Sequence, residues 1–135
     1  MNLITKHLYT LYWMSNKESF FVNRIKSIGY AFKGAYHLIT KEASVKVQFV
    51  IGIMMTIAGF YFGLSTSEWI IQIFAIALIM AFEGMNTAIE EIADFIHPEF
   101  HKKVGLIKDI AAGAVFIFAI AAVIIGLIIY LPKIF

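Results

Sequence analysis

A run of apolar residues long enough to cross most of a membrane continues directly into a stripe of acid and amide side chains. Residues 69–82 (WIIQIFAIALIMAF) are followed by EGMNTAIEEIAD. At 100° per residue, the polar residues after the run share an arc of ~100°: Glu83, Asn86, Thr87, Glu90 and Asp94. Glu83 lies only ~21 Å along the helix from Trp69, within a hydrocarbon layer ~30 Å thick. A carboxylate inside the hydrocarbon layer is energetically costly and usually indicates a functional site. The alternative interpretation, a helix face in contact with water, suits Asp94 but not Glu83.

The composition predicts one small all-α integral membrane domain over residues 1–135. The chain is 61% hydrophobic and only 15% charged, and its mean hydropathy is +0.83. Its long apolar runs lack the alternation of membrane β-strands, which excludes a barrel. The absence of cysteine excludes disulfides and thiolate metal sites.

Three membrane helices are predicted, at residues 45–64, 69–95 and 110–131. Residues 1–44 are predicted to be cytoplasmic and to include an amphipathic helix on the membrane surface. The apolar face of this helix repeats every three or four residues, at Phe21, Ile25, Ile28, Phe32, Ala35 and Ile39.

The basic residues predict the orientation of these helices. Seven precede or begin the first span, and the connection between the second and third spans adds Lys102, Lys103 and Lys108, whereas the loop at 64–68 (LSTSE) has none. The positive-inside rule therefore places the N-terminus in the cytoplasm and the C-terminus outside.

Polar residues from three segments are predicted to meet at the cytoplasmic interface. Glu42 precedes the first span, Glu90 lies ~10 Å beyond Glu83, and Lys108 and Asp109 open the third helix. Two interfacial carboxylates suit Mg²⁺ with a nucleotide, and a lysine at a helix start suits phosphate. The deeper carboxylate suits general-base work on a hydroxyl held in the lipid. The arrangement predicts a site where an aqueous phosphate donor meets a membrane alcohol.

Familiar motifs of soluble enzymes do not occur. The sequence has no P-loop, kinase catalytic loop or Rossmann fingerprint. The histidine pair His97-x-x-x-His101 is interrupted by Pro98, so a histidine metal site is not expected. No nucleic-acid partner is expected.

The segment EGMNTAIEEIADFIHPEFHKKVGLIKDIAAGAV resembles the signature of the small membrane-integral prokaryotic diacylglycerol kinase family, which includes undecaprenol kinases. The stretch beginning Arg24-Ile25-Lys26 and the later Glu42-Ala43 also resemble it. The resemblance implies a homotrimer of three-span subunits in a bacterial cell membrane, with active sites built between subunits. It also implies transfer of the γ-phosphate of ATP, with Mg²⁺, to a lipid hydroxyl.

The resemblance assigns roles by position. Glu83 matches the general base, and Asn86 matches a position that supports the base and substrate. Glu42 and Glu90 match the metal-holding carboxylates. The nucleotide-binding positions are Arg24, Tyr30, Glu42, Glu90, Glu99, His101, Lys108 and Asp109. The roles of Arg24, Tyr30, Glu99 and His101 come from the resemblance alone.

The acceptor lipid is ambiguous. Undecaprenol-type members often carry Asn and His where this chain has Ser44 and Gln48, and diacylglycerol-type members tend to carry a carboxylate at the position of Gln48. The expected acceptor is diacylglycerol, giving phosphatidic acid, with undecaprenol as the alternative.

A non-enzymatic membrane protein, such as an ion or proton conduit, is the rival reading. A conduit needs polar residues through the full bilayer depth, but Gln72 is the only polar residue in the segment 70–82. This one-sided distribution of polar residues favours a kinase site at one face of the membrane.

Three spans form a thin bundle, so Glu83 and Asn86 are expected to need a neighbouring subunit to shield them from lipid. Small residues at 111–114 offer a close-packing surface for it.

Overall fold

The computed structural model describes residues 19–135. Within them lie four helices: α1 (Phe20–Lys41), α2 (Ala43–Tyr61), α3 (Thr66–Ile96) and α4 (Lys102–Ile134). Each of α2, α3 and α4 is long and apolar enough to cross a membrane. The predicted all-α class with three spanning helices is therefore confirmed.

The chain divides into two compact units, the first ending at Tyr36 and the second beginning at His37. In the first unit, no residue of α1 is buried. In this unit, side chains of the predicted apolar face, including Phe21, Ile25 and Phe32, are exposed. The second unit, His37–Phe135, contains the end of α1 and all three long helices.

Glu42 separates α1 from α2. Its backbone is extended, with φ −80° and ψ 122°. The flanking hydrogen bonds nevertheless continue: its N–H donates to the Leu38 carbonyl and its carbonyl accepts from Lys46 N–H, both at 3.1 Å. The carboxylate thus projects from a break between two helices that is held by backbone hydrogen bonds on both sides.

The turn between α2 and α3 explains where both helices stop and start. Gly63 has φ +61°, a left-handed conformation that suits glycine. Ser65 and Glu68 then form a capping box: Ser65 Oγ accepts from Glu68 N–H, and the Glu68 carboxylate accepts from Ser65 N–H at 2.7 Å. The Glu68 side chain also pairs with Lys133 at 3.1 Å, joining the start of α3 to the end of α4.

In the second unit, α3 packs against both α2 and α4. Gly59 permits close approach of α2, because a Cβ there would lie 2.7 Å from Cη2 of Trp69 on α3. Nearer the other end of α3, the rings of Phe82 and Phe118 stack with their centres 4.1 Å apart. These contacts set the rotation of α3, and that rotation decides which neighbours its polar stripe meets.

Candidate functional site

The two deepest polar residues of the α3 stripe are buried within one chain. Glu83 is 8% exposed and Asn86 is 9% exposed. Gly84 helps the end of α1 to cover this part of α3, because a Cβ on Gly84 would lie 2.9 Å from Cδ1 of Leu38. The expectation that these two side chains need a neighbouring subunit for shielding is therefore wrong, since the helices of one subunit already cover them.

Glu83 receives a hydrogen bond from α2. Gln48 Nε2 donates to Glu83 Oε2 at 3.3 Å. On α3 itself, the Thr87 hydroxyl donates to the Glu83 backbone carbonyl at 3.1 Å, which occupies the threonine without using the carboxylate. Sequence reasoning noted Gln48 as a departure from the family pattern but did not place it in the site. A polar side chain near the start of an apolar helix was the feature of the sequence that could have indicated the role of Gln48.

Asn86 and Glu90 form a second polar pair along α3. Asn86 Nδ2 donates to Glu90 Oε1 at 2.7 Å, as expected for side chains four residues apart on a helix. Asn86 Oδ1 is buried and has no hydrogen-bond partner among the described residues. A buried, unpaired acceptor is costly, so this oxygen is available to an incoming donor or cation.

The residues expected to hold Mg²⁺ lie on separate elements. Glu42 is half-buried at the junction of α1 and α2, and Glu90 is half-buried on α3. Within residues 19–135, no group of three His, Asp or Glu side chains is placed to hold a metal ion by itself. The carboxylates of Glu42 and Glu90 and the free oxygen of Asn86 are hard donors of the kind that Mg²⁺ prefers. They fit an ion that completes its shell with phosphate oxygens and water.

Lys108 is already paired. Its Nζ lies 2.5 Å from Oδ1 of Asp94 and so joins α4 to α3. Because α4 begins at Lys102, Lys108 and Asp109 lie within the helix and do not open it as expected. The side chains are 32% and 62% exposed, so the pair is worth at most about 1 kcal/mol. A phosphate can therefore displace Asp94 at little cost. The sequence predicted that Asp94 lies on a solvated helix face, and it did not predict this contact with Lys108. Asp109 is exposed beside Lys108.

The connection between α3 and α4 carries Glu99 and His101, both exposed. His101 caps α4, because its Nδ1 accepts from the Lys103 N–H at 3.2 Å. The ring nitrogen Nδ1 of His97 lies 2.9 Å from the Glu99 carbonyl. The connection is therefore organised by local hydrogen bonds, and the Glu99 carboxylate lies at the protein surface.

Arg24 and Tyr30 belong to the first unit. Both are exposed on α1. The Arg24 guanidinium lies over the Phe20 ring, 5.1 Å from its centre, and Lys33 Nζ lies 6.0 Å from the centre of the Tyr30 ring. Arg24 and Tyr30, which the resemblance assigns to nucleotide binding, are thus both accessible.

An apolar cavity of about 620 Å³ runs between α2, α3 and α4. Gln48 lines it near the site, and Gln72 and Tyr130 line its far end. Between them the walls are apolar and include Gly52, Ile76 and Ala122. The site therefore opens onto an apolar space as well as toward the charged helix ends.

Comparison with known proteins agrees with this arrangement. The family model described as prokaryotic diacylglycerol kinase matches residues 29–130. The undecaprenol kinase of Bacillus subtilis (strain 168) is 37% identical over 108 residues, covering 80% of this chain and 88% of that protein. The diacylglycerol kinase of Escherichia coli (strain K12) is 31% identical over 111 residues, covering 82% and 91%. The expected membrane lipid kinase is confirmed: the chain belongs to the prokaryotic diacylglycerol kinase family.

Proposed function

We propose that the protein transfers the γ-phosphate of ATP to the hydroxyl of a membrane lipid, with Glu83 as the general base. The observation that carries this proposal is a carboxylate 8% exposed on a membrane-spanning helix, reached by a hydrogen-bond donor from the next helix. A carboxylate placed so deep is suited to a substrate hydroxyl that remains in the lipid.

The proposed reaction is an in-line displacement. Glu83 accepts the proton of the lipid hydroxyl as the oxygen forms a bond to the γ-phosphorus, and the bond from that phosphorus to the β,γ-bridging oxygen of ATP breaks. The products are the lipid phosphate and ADP, and the proton stays on the Glu83 carboxylate until solvent removes it. Asn86 supports the site by holding Glu90 through its 2.7 Å hydrogen bond.

Mg²⁺ is proposed as the metal. When bound, it would neutralise charge on the transferring phosphate. Glu42 and Glu90 would hold it, assisted by the unpaired Oδ1 of Asn86. The nucleotide is proposed to contact polar and charged residues near the cytoplasmic helix ends and on α1: Arg24, Tyr30, Glu42, Glu90, Glu99, His101, Lys108 and Asp109.

Diacylglycerol is the proposed acceptor, in line with the family model and with the relatives named diacylglycerol kinase. Undecaprenol is a second candidate, supported by a specific observation. The relative named undecaprenol kinase is 37% identical, against 31% for the Escherichia coli diacylglycerol kinase over a nearly equal length.

We also propose the membrane placement and assembly. Residues 1–135 form a single kinase domain whose α1 lies amphipathically on the cytoplasmic leaflet, with the N-terminus inside and the C-terminus outside. The basic residues at the start of α4 and before α2 support this orientation. The proposed homotrimer rests on the family resemblance, because burial of Glu83 and Asn86 does not demand it.

A phosphate-transfer assay tests the function directly. Purified protein in mixed micelles is given Mg²⁺ and γ-labelled ATP together with diacylglycerol, undecaprenol or neither. Label should enter the organic phase with one acceptor at a much higher kcat/KM than with the other. Folded protein that labels neither lipid would reject the proposal, whereas labelling of undecaprenol alone would select the second candidate.

A further inference from the structure

Gln48 is a neutral partner for a carboxylate in a low-dielectric setting. Its Nε2 donates to Glu83 Oε2 at 3.3 Å. The other end of its amide, Oε1, is buried without a hydrogen-bond partner among the described residues. The amide is therefore held by Glu83 rather than by a competing network of hydrogen bonds.

We infer that Gln48 is a positioning residue for Glu83: its amide holds the carboxylate in one orientation both before and after that carboxylate takes a proton. This inference rests on the proposed role of Glu83 as the base. An amide has both donor and acceptor atoms. Ionised Glu83 accepts from Nε2 through Oε2, and Glu83 that has taken the substrate proton on Oε1 can still accept from Nε2 through the same Oε2.

A charged partner would serve only one of these states. A carboxylate at position 48 would repel ionised Glu83 and share a proton with it, as closely paired carboxylates do. A lysine would favour the ionised state and weaken the base. The amide supports both states of the cycle, and the hydrogen bond that it makes leaves Glu83 Oε1 for the substrate hydroxyl.

Gln48 is the polar side chain that contacts the Glu83 carboxylate from another helix. The ionisable groups of α3 and α4 lie elsewhere along those helices. On α3 no ionisable residue lies between Glu68 and Glu83, and Glu90 follows two turns later, bonded to Asn86. On α4 none lies between Asp109 and Tyr130, and Phe118 stacks on Phe82 at this level.

On the remaining elements, no described ionisable side chain makes a hydrogen bond or ion pair with Glu83. On α2, Lys46 is exposed and lies two residues from Gln48, about 200° away around the helix. At the end of α1, Leu38 is the side chain closest to Gly84, and its ionisable neighbours are His37, the exposed Lys41 and the half-buried Glu42, whose N–H donates to the Leu38 carbonyl. A new charge at position 48 would therefore be felt by Glu83 more strongly than these existing groups are.

The experiment compares Gln48→Leu, Gln48→His and Gln48→Glu by kcat, by KM for ATP, and by the pH dependence of kcat. Gln48→Leu should lower kcat about ten-fold or more, as is typical when a partner that orients a functional side chain is lost, with KM for ATP within about two-fold because the nucleotide contacts are elsewhere. Gln48→His should recover part of that loss, since neutral imidazole can also donate and accept.

Gln48→Glu supplies the readout that a merely structural role would not move. Its kcat should need a pH higher by about one unit or more to reach half its maximum, because the paired carboxylates must lose their shared proton. The matched control is Gln72→Leu, which removes a buried glutamine of the spanning helices that lies far from Glu83. It should change thermal stability and leave the pH profile in place.

The outcomes separate this inference from the proposed function. If Gln48→Leu keeps its kcat and Gln48→Glu keeps its pH profile while Glu83→Gln is inactive, Gln48 is not a positioning residue and the base assignment stands. If Glu83→Gln itself keeps near-native turnover, the base assignment fails and the inference about Gln48 fails with it. Should Gln48→Leu not fold, the pH profile of Gln48→Glu and the recovery by Gln48→His decide the question.

Discussion

The phenolic oxygen of Tyr130 on α4 lies 2.6 Å from Oε1 of Gln72 on α3, and both side chains are almost fully buried. The Gln72 amide nitrogen donates in turn to the Met55 carbonyl of α2 at 3.0 Å. One glutamine thus joins all three spanning helices. It lies eleven residues before Glu83, ~16 Å away along α3, so it stabilises the bundle from the end away from the proposed chemistry.

We expect Tyr130→Phe to destabilise the protein by about 1 kcal/mol, because Gln72 Oε1 loses its donor in a buried place. Unfolding in a mixed-detergent series measures this. In a double-mutant cycle with Gln72→Met, the second substitution should cost less than it does alone. Fully additive effects would show that the two side chains do not interact.

Glu83→Gln should reduce turnover by about 10²–10⁴-fold while nucleotide binding is retained, because the amide cannot accept the hydroxyl proton. The matched control is Glu91→Gln, which alters an exposed carboxylate on the same helix. Turnover and ATP-analogue binding are measured on both variants. Comparable turnover in the two variants would mean that burial of Glu83 has only a structural consequence.

Glu42→Gln and Glu90→Gln should each raise the Mg²⁺ concentration needed for half-maximal activity, because each removes a hard oxygen charge from the proposed metal site. The Mg²⁺ titration at fixed ATP is the measurement, and Glu91→Gln again serves as the control. A variant whose titration matches the control removes that carboxylate from the site.

Gly59→Ala should cost about 1–3 kcal/mol of stability, since overpacking at a helix contact forces the partner to move. The new Cβ would lie 2.7 Å from Cη2 of Trp69, a rigid ring atom. Gly126→Ala is the control, because its Cβ would make an ordinary contact of 3.9 Å with the flexible end of Met55. Equal thermal stabilities would contradict the close approach of α2 and α3 at Gly59.

Mixing Glu83→Gln and Glu42→Gln subunits, at a Mg²⁺ concentration too low for either variant alone to be active, should restore part of the activity if the proposed trimer builds each site from two chains. The restored fraction is measured on mixed oligomers purified through two different tags. Absence of recovery in such oligomers would place both residues of each site on the same chain. A fully active species with a detergent-corrected mass of one subunit would reject the oligomer.

The sequence by itself determined the number of spanning helices and the polar stripe of α3, because apolar length and the 3.6-residue period are properties of each segment alone. The cluster Glu83-x-x-Asn86-x-x-x-Glu90 and the family it indicates were visible in the same way. In the structure Glu42 separates α1 from α2, the first of the helices long enough to span a membrane.

Only the tertiary structure decided which side chains meet across helices. Gln48 with Glu83, Gln72 with Tyr130, and Lys108 with Asp94 each join different helices. The tertiary structure also decided that one subunit buries Glu83, contrary to the expectation from a three-helix bundle. The physical reason is that such contacts depend on the relative rotation and height of packed helices. Close contacts such as Gly59 against Trp69 and Phe82 against Phe118 set that geometry, and the periodicity of a single helix does not contain it.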